Sequence, residues 1–249
     1  MLIKLPQPLH GWRAFVGEVG VIVLGVLIAL GLGQLVQDWN DGQNAEAGRA
    51  AMRTELAGDD LPQAYARLAV SPCLARSLDR LDAAEVGTID RLRFGQMAKL
   101  YQPQVRTWDA EAWKAVIASG ALSNRGAKEI MAWASPYVWV AKLDLTAGTE
   151  SQALTDLTSV KPSPGRLTDP ETDRVVVSLQ RLRRIGRTMF RQSWFLSEAA
   201  RNAGVTLSDR ERSDILASLR PDWGPCVQAP KLPRINLTSQ IMPPLADPF

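Results

Sequence analysis

Residues 19–36 read VGVIVLGVLIALGLGQLV, an apolar run in which Gln34 is the only polar side chain. No other stretch limits the fold so strictly. A helix at the edge of a soluble core keeps a polar face toward water, and this run has none. Extended back to Ala14, it makes roughly 34 Å of helix, enough for a hydrocarbon layer of about 30 Å. The run therefore predicts a transmembrane helix over residues 14–36. Trp12 and Phe15 near one end and Trp39 just past the other suit interfacial aromatics.

Charge sets the expected orientation. Lys4 and Arg13 precede the span, whereas Asp38, Asp41 and Glu46 follow it before the first basic residue, Arg49. Positive charge stays inside, so residues 1–13 are expected in the cytoplasm of a bacterial cell and the rest in the periplasm, across the inner membrane. A cleaved signal peptide is the rival reading, with small residues at 29–31 as the cleavage site. Apolar residues continue past that site to Val36, which favours an uncleaved anchor.

Two features of the span go beyond anchoring. Gly25, Ala29 and Gly33 recur every fourth residue, a small-residue stripe that would let another membrane helix, or a second copy, approach closely. Common membrane-helix composition explains the same stripe. Glu18 lies about one turn inside the cytoplasmic boundary. It either pairs with a partner's Lys or Arg, or reaches the headgroups and Arg13.

The pattern Gly17-Glu18, Gly25, Ile28-Ala29-Leu30 and Trp39-Asn40 resembles the N-terminal anchor of a group of uncharacterised bacterial single-pass membrane proteins. The resemblance covers residues 11–40. It implies a helical extracytoplasmic domain on an anchor and brings no activity with it.

Beyond Asn40 the expected class is all-α: a helical periplasmic bundle over residues 37–228, then an extended Pro-rich tail over 229–249. Residues 45–57 continue the membrane helix outward, and Gly58-Asp59-Asp60 is expected to break it. Pro62 suits the first turn of a second helix. Ser71-Pro72 is expected to open a third, ending near Gly87. Thr107 is placed as the cap of a helix over 108–119 closed by Gly120, and Ser123 as the start of a segment to Thr158 kinked at Pro136. A Pro/Gly-rich linker lies near 159–168. Asp169-Pro170 then starts the longest soluble helix, to about Asn202, and Ser208 with Glu211 makes a capping box for 209–219. No alternating strand run of convincing length is visible.

In the longest soluble helix Val175, Leu179, Leu182, Met189 and Leu196 mark an inward face. Arg181, Arg184, Arg187 and Arg191 form a stripe on the other side, suited to anionic lipid headgroups or an acidic partner, or simply to water. Trp108, Trp113, Trp133, Trp139, Trp194 and Trp223 are expected mainly in the core, with a ligand pocket as the alternative.

The chemistry is sparse. The single histidine, His10, precedes the span, so triads, Cys-His nucleophiles and His-containing zinc sites have no residues to build them in the domain. Residues 120–128, GALSNRGAK, lack the spacing of a phosphate loop. Asp109 and Glu111, the best carboxylate pair for glycoside hydrolysis, are two residues apart, which on a helix points them apart. Neither a catalytic residue, a metal site nor a cofactor is expected. The formal net charge of +3 is too small to suggest a nucleic-acid partner. Cys73 and Cys226, the only cysteines, are expected to pair in an oxidising compartment, with two unrelated buried thiols as the alternative.

The sequence thus reads as a bitopic inner-membrane protein whose periplasmic domain is a non-catalytic accessory or assembly subunit. The alternative is a periplasmic ligand-binding or sensory domain acting through a partner's membrane helix.

Overall fold

A computed structural model describes residues 12–84, 88–103, 107–160 and 163–231. The chain is all-helical and carries no strand among these residues. Seven α-helices follow one another: α1 Trp12–Glu55, α2 Leu61–Ala83, α3 Arg91–Ala98, α4 Glu111–Ser119, α5 Ala127–Thr158, α6 Asp169–Asn202 and α7 Asp209–Trp223. Lys4, His10 and most of the Pro-rich tail lie outside the described residues, as does the side chain of Arg13.

α1 is 44 residues long, about 66 Å. It alone among the described helices is long and apolar enough to cross a membrane. Its first part touches no other element, and Val19, Ile22, Leu24, Leu27, Leu30, Leu35 and Val36 are all exposed. The change comes at Ala45. From there Ala45, Gly48, Met52 and Leu56 are buried in turn, a three-and-four spacing that places one face against the bundle.

The expected break at Gly58-Asp59-Asp60 does not occur. Residues Leu56–Asp60 form a π-helical turn that leads directly into α2, so the backbone stays helical from Trp12 to Ala83. One inserted residue is accommodated by widening a turn, and buried Leu56, Asp60 and Leu61 hold it there. Ser71-Pro72 does not start a helix either. Pro72 lies inside α2, and Ser71 Oγ donates back to the Arg67 carbonyl at 2.7 Å. Burial of Leu68, Val70, Cys73, Leu74 and Leu78 outweighs the missing backbone donor.

Three helices make the centre of the bundle. α5 and α6 form the most extensive pairing. They run antiparallel, since Trp139 stacks on Phe195 at 4.5 Å while Asp156 pairs with Arg181 at 3.7 Å. α2 is also antiparallel to α6: Leu68 packs near Phe190 and Trp194, and Asp79 binds Arg183 at 2.9 Å. α6 buries all five residues of its expected inward face. It begins as expected at Asp169, behind a capping box of Thr168 and Glu171. α7 packs on α2, is capped by Ser208 and Glu211, and continues past Leu219 through Pro221 to Trp223.

Other boundaries differ from the sequence reading. α4 starts at Glu111 rather than beside Thr107, because Glu55 of α1, not Thr107, accepts the Ala112 backbone N–H at 2.8 Å. Gly120 closes α4 in the left-handed region, φ 67°, as expected. α5 starts at Ala127 after Gly126, and α3 was not anticipated. The 159–168 connection folds back onto α3. Arg91 N donates to the Gly165 carbonyl at 3.0 Å, and the Arg91 side chain binds Ser163 and Glu171.

Candidate functional site

The features singled out in the sequence fall at separate places. Gly25, Ala29 and Gly33 lie on the uncovered part of α1, and a Cβ built on Gly25 or Gly33 would meet nothing within 4 Å. Glu18 is exposed on the same segment. Cys73 and Cys226 are joined, with Cα atoms 5.4 Å apart. Cys73 lies within α2 rather than at a helix start, so the bridge fastens the turn after α7 to the middle of the bundle.

Arg181, Arg184, Arg187 and Arg191 are all exposed on α6. Arg181 is engaged with Asp156. Arg183, outside the stripe, makes the stronger contacts, to Asp79 and Asp82. Trp108, Trp133 and Trp194 are buried, and Trp113, Trp139 and Trp223 are half-buried against the core. Asp109 lies before α4, not on it, while Glu111 in its first turn pairs with Lys114 at 2.7 Å.

Two buried polar clusters went unforeseen. In the first, Arg67 of α2 makes a two-pronged pair with Glu150 of α5, at 2.7 and 2.9 Å, and Tyr101 donates to Glu150 at 2.8 Å. Desolvation opposes the Arg67 charge, but Glu150 and Tyr101 outweigh it and hold its pKa above the ordinary value. Burial, then the Glu150 charge, pushes the Tyr101 phenol well up. The pair joins residues 83 apart, which local patterning does not register.

The second cluster surrounds the π-helical turn. Asp60 is fully buried, and neither carboxylate oxygen has a hydrogen-bond partner. Burial, then repulsion from Glu55, raises its pKa from 3.8 to about 8. The Asp109 N–H lies on its side and pulls the other way without reaching hydrogen-bond geometry. Asp59 and Asp109 add further repulsion. Tyr137 donates to the Met52 carbonyl at 3.3 Å, and its phenol is pushed well up by burial and by Glu55.

A cavity of about 300 Å³ opens where α1 leaves its uncovered segment. Asp38, Asp41 and Asn44 line one wall, and Ser123, Asn124 and Arg125 from the α4–α5 connection line the other. Asp38 accepts from Gln34 at 2.9 Å and Asp41 from Asn124 at 2.7 Å. The α1 wall is held by packing just beyond it: a Cβ on Gly48 would lie 2.9 Å from Val116 Cγ2, so glycine lets α1 and α4 meet.

Compared with known protein families, curated proteins and solved structures, the chain matches none. Its own geometry carries the argument. No group of three or more His, Cys, Asp or Glu side chains that could hold a metal ion occurs among the described residues.

Proposed function

We propose that this chain is a single-pass inner-membrane protein, N-terminus cytoplasmic, whose helical periplasmic domain is a non-catalytic accessory or assembly subunit of a membrane complex. One observation carries the reading. α1 is a continuous helix whose first part is apolar and uncovered, while its last part is built into the bundle through Ala45, Gly48 and Met52. A rigid rod of this kind transmits position between membrane and domain, with no hinge between them. The buried, partnered Arg67–Glu150–Tyr101 cluster suits a structural role rather than a reacting one. The proposed contact with the partner, or with a second copy, is the stripe of Gly25, Ala29 and Gly33, with Glu18 near the same face.

The test combines topology with association. Alkaline phosphatase fused after Phe249 should be active, and a cytoplasm-dependent reporter there should be dark. Crosslinking with mass spectrometry should then recover a stoichiometric membrane protein. Gly25→Leu or Ala29→Leu should weaken that recovery without changing insertion, because leucine is equally apolar but bulky. The opposite reporter pattern would refute the orientation. A co-purifying small molecule without a protein partner would favour a ligand-binding or sensory domain instead.

A further inference from the structure

The cavity at the foot of the bundle lies at a particular depth if α1 spans the membrane, the reading on which this inference rests. At 1.5 Å per residue, Asp38 and Asp41 lie about 3 and 8 Å beyond Val36 along the helix. The headgroup layer on each side of a bilayer is roughly 5–8 Å thick. The cavity mouth therefore sits among headgroups, whichever way the chain is oriented. Trp39, exposed at the same level, is the side chain expected there.

The lining carries both signs of charge. The Arg125 backbone N–H donates to the Leu122 carbonyl at 3.0 Å, but its guanidinium makes neither an ion pair nor a hydrogen bond among the described residues, and its field lowers only the Glu46 pKa. On the opposite wall, Asp38 and Asp41 each receive one side-chain amide, through Oδ1 and Oδ2 respectively. The other oxygen of each carboxylate is left open. Two carboxylates against one guanidinium leave an excess of one negative charge, which disfavours a purely anionic headgroup. A primary ammonium can donate to both carboxylates, and a phosphate beside it can accept from a guanidinium fork. A quaternary ammonium has no N–H to offer.

We infer that this cavity binds the headgroup of a phosphatidylethanolamine-type lipid, with the ammonium on Asp38 and Asp41 and the phosphate on Arg125. Such a lipid seats the bundle against the bilayer at one height and rotation. It thereby fixes the face that α1 turns toward a membrane partner.

The experiment uses the full chain, purified in detergent, stripped of lipid and titrated with phosphatidylethanolamine, phosphatidylcholine or phosphatidylglycerol of identical acyl chains. Native mass spectrometry counts the retained lipid. One phosphatidylethanolamine should be retained with a preference over phosphatidylcholine of about tenfold, the scale of one charge-assisted hydrogen bond. Asp38→Asn and Asp41→Asn should each reduce that preference, and Arg125→Gln should weaken phosphatidylethanolamine retention. All three positions line an open surface, and thermal unfolding at the wild-type temperature would show each variant folded. Equal retention of the three lipids, or a preference unchanged in the folded variants, overturns the assignment. Alkaline carbonate extraction separates the two levels of failure. Release of the chain from membranes removes the span and the headgroup site together, whereas an integral chain without lipid preference loses only the headgroup site.

Discussion

Replacing Asp60 with asparagine should make the protein more stable, and the gain should depend on pH. Asp60 ionises at 3.8 in the unfolded chain but at about 8 in the fold, where its carboxyl is buried beside Glu55. Below pH 3.8 both states carry the proton and the site imposes no ionisation cost. Between 3.8 and 8 the unfolded chain releases the proton while the folded chain keeps it, so stability falls as pH rises. The slope approaches 1.36 kcal/mol per pH unit, which by pH 7 amounts to about 4 kcal/mol. Asparagine removes that dependence but leaves a buried amide costing about 1–2 kcal/mol, so the expected gain at pH 7 is about 2–3 kcal/mol. Glu46, Glu171 and Glu211 have lowered pKa values and act in the opposite sense, losing stability toward the acid end of this range, while both cysteines are bonded and the chain has one histidine. Urea unfolding of the detergent-solubilised protein, followed by tryptophan fluorescence from pH 4 to 8, measures both proteins. The wild-type curve should slope downward and the Asp60→Asn curve should change far less, the two crossing at about pH 5. Parallel curves would refute the reasoning, because they would mean that Asp60 is ionised and stabilised within the fold.

Three further outcomes follow. Cys73→Ser should lower stability by about 2–5 kcal/mol, and non-reducing gels of the wild type should show a faster monomer that slows on reduction. Arg67→Met should cost about 3–5 kcal/mol in the same urea assay by leaving Glu150 buried and unpaired, and adding Glu150→Leu should recover most of the loss. Gly48→Ala should cost about 1–3 kcal/mol by forcing α1 from α4, and Val116→Ala in the same chain should relieve it.

What could be read from the sequence was governed by residues within about one helical turn of each other. The uncovered apolar segment of α1, the inward face of α6, the Ser208–Glu211 box and the left-handed Gly120 all depend on such local relations. The cysteine pair was legible for another reason, since two cysteines allow only one intramolecular bridge. Local rules failed where distant packing overrode them. Gly58-Asp59-Asp60 and Pro72 look like breaks, because glycine and proline each weaken a helix, proline by about 3 kcal/mol. Burying neighbours such as Leu68, Leu74 and Leu78 contributes about 1.5–3 kcal/mol each, so the helix passes through. The Glu55 cap on α4, the Arg67–Glu150–Tyr101 cluster and the orphaned carboxyl of Asp60 require contacts between residues far apart in the chain. The cavity beside the uncovered segment of α1 is of the same kind. Asp38 and Asp41 were legible as charges just past an apolar run, but Arg125 lies across a cavity from them only because Gly48 lets α4 lie against α1. Hydropathy and capping act over a few residues and so can be read along the chain; which opposite charges line one cavity depends on which helices pack together, which only the folded bundle decides.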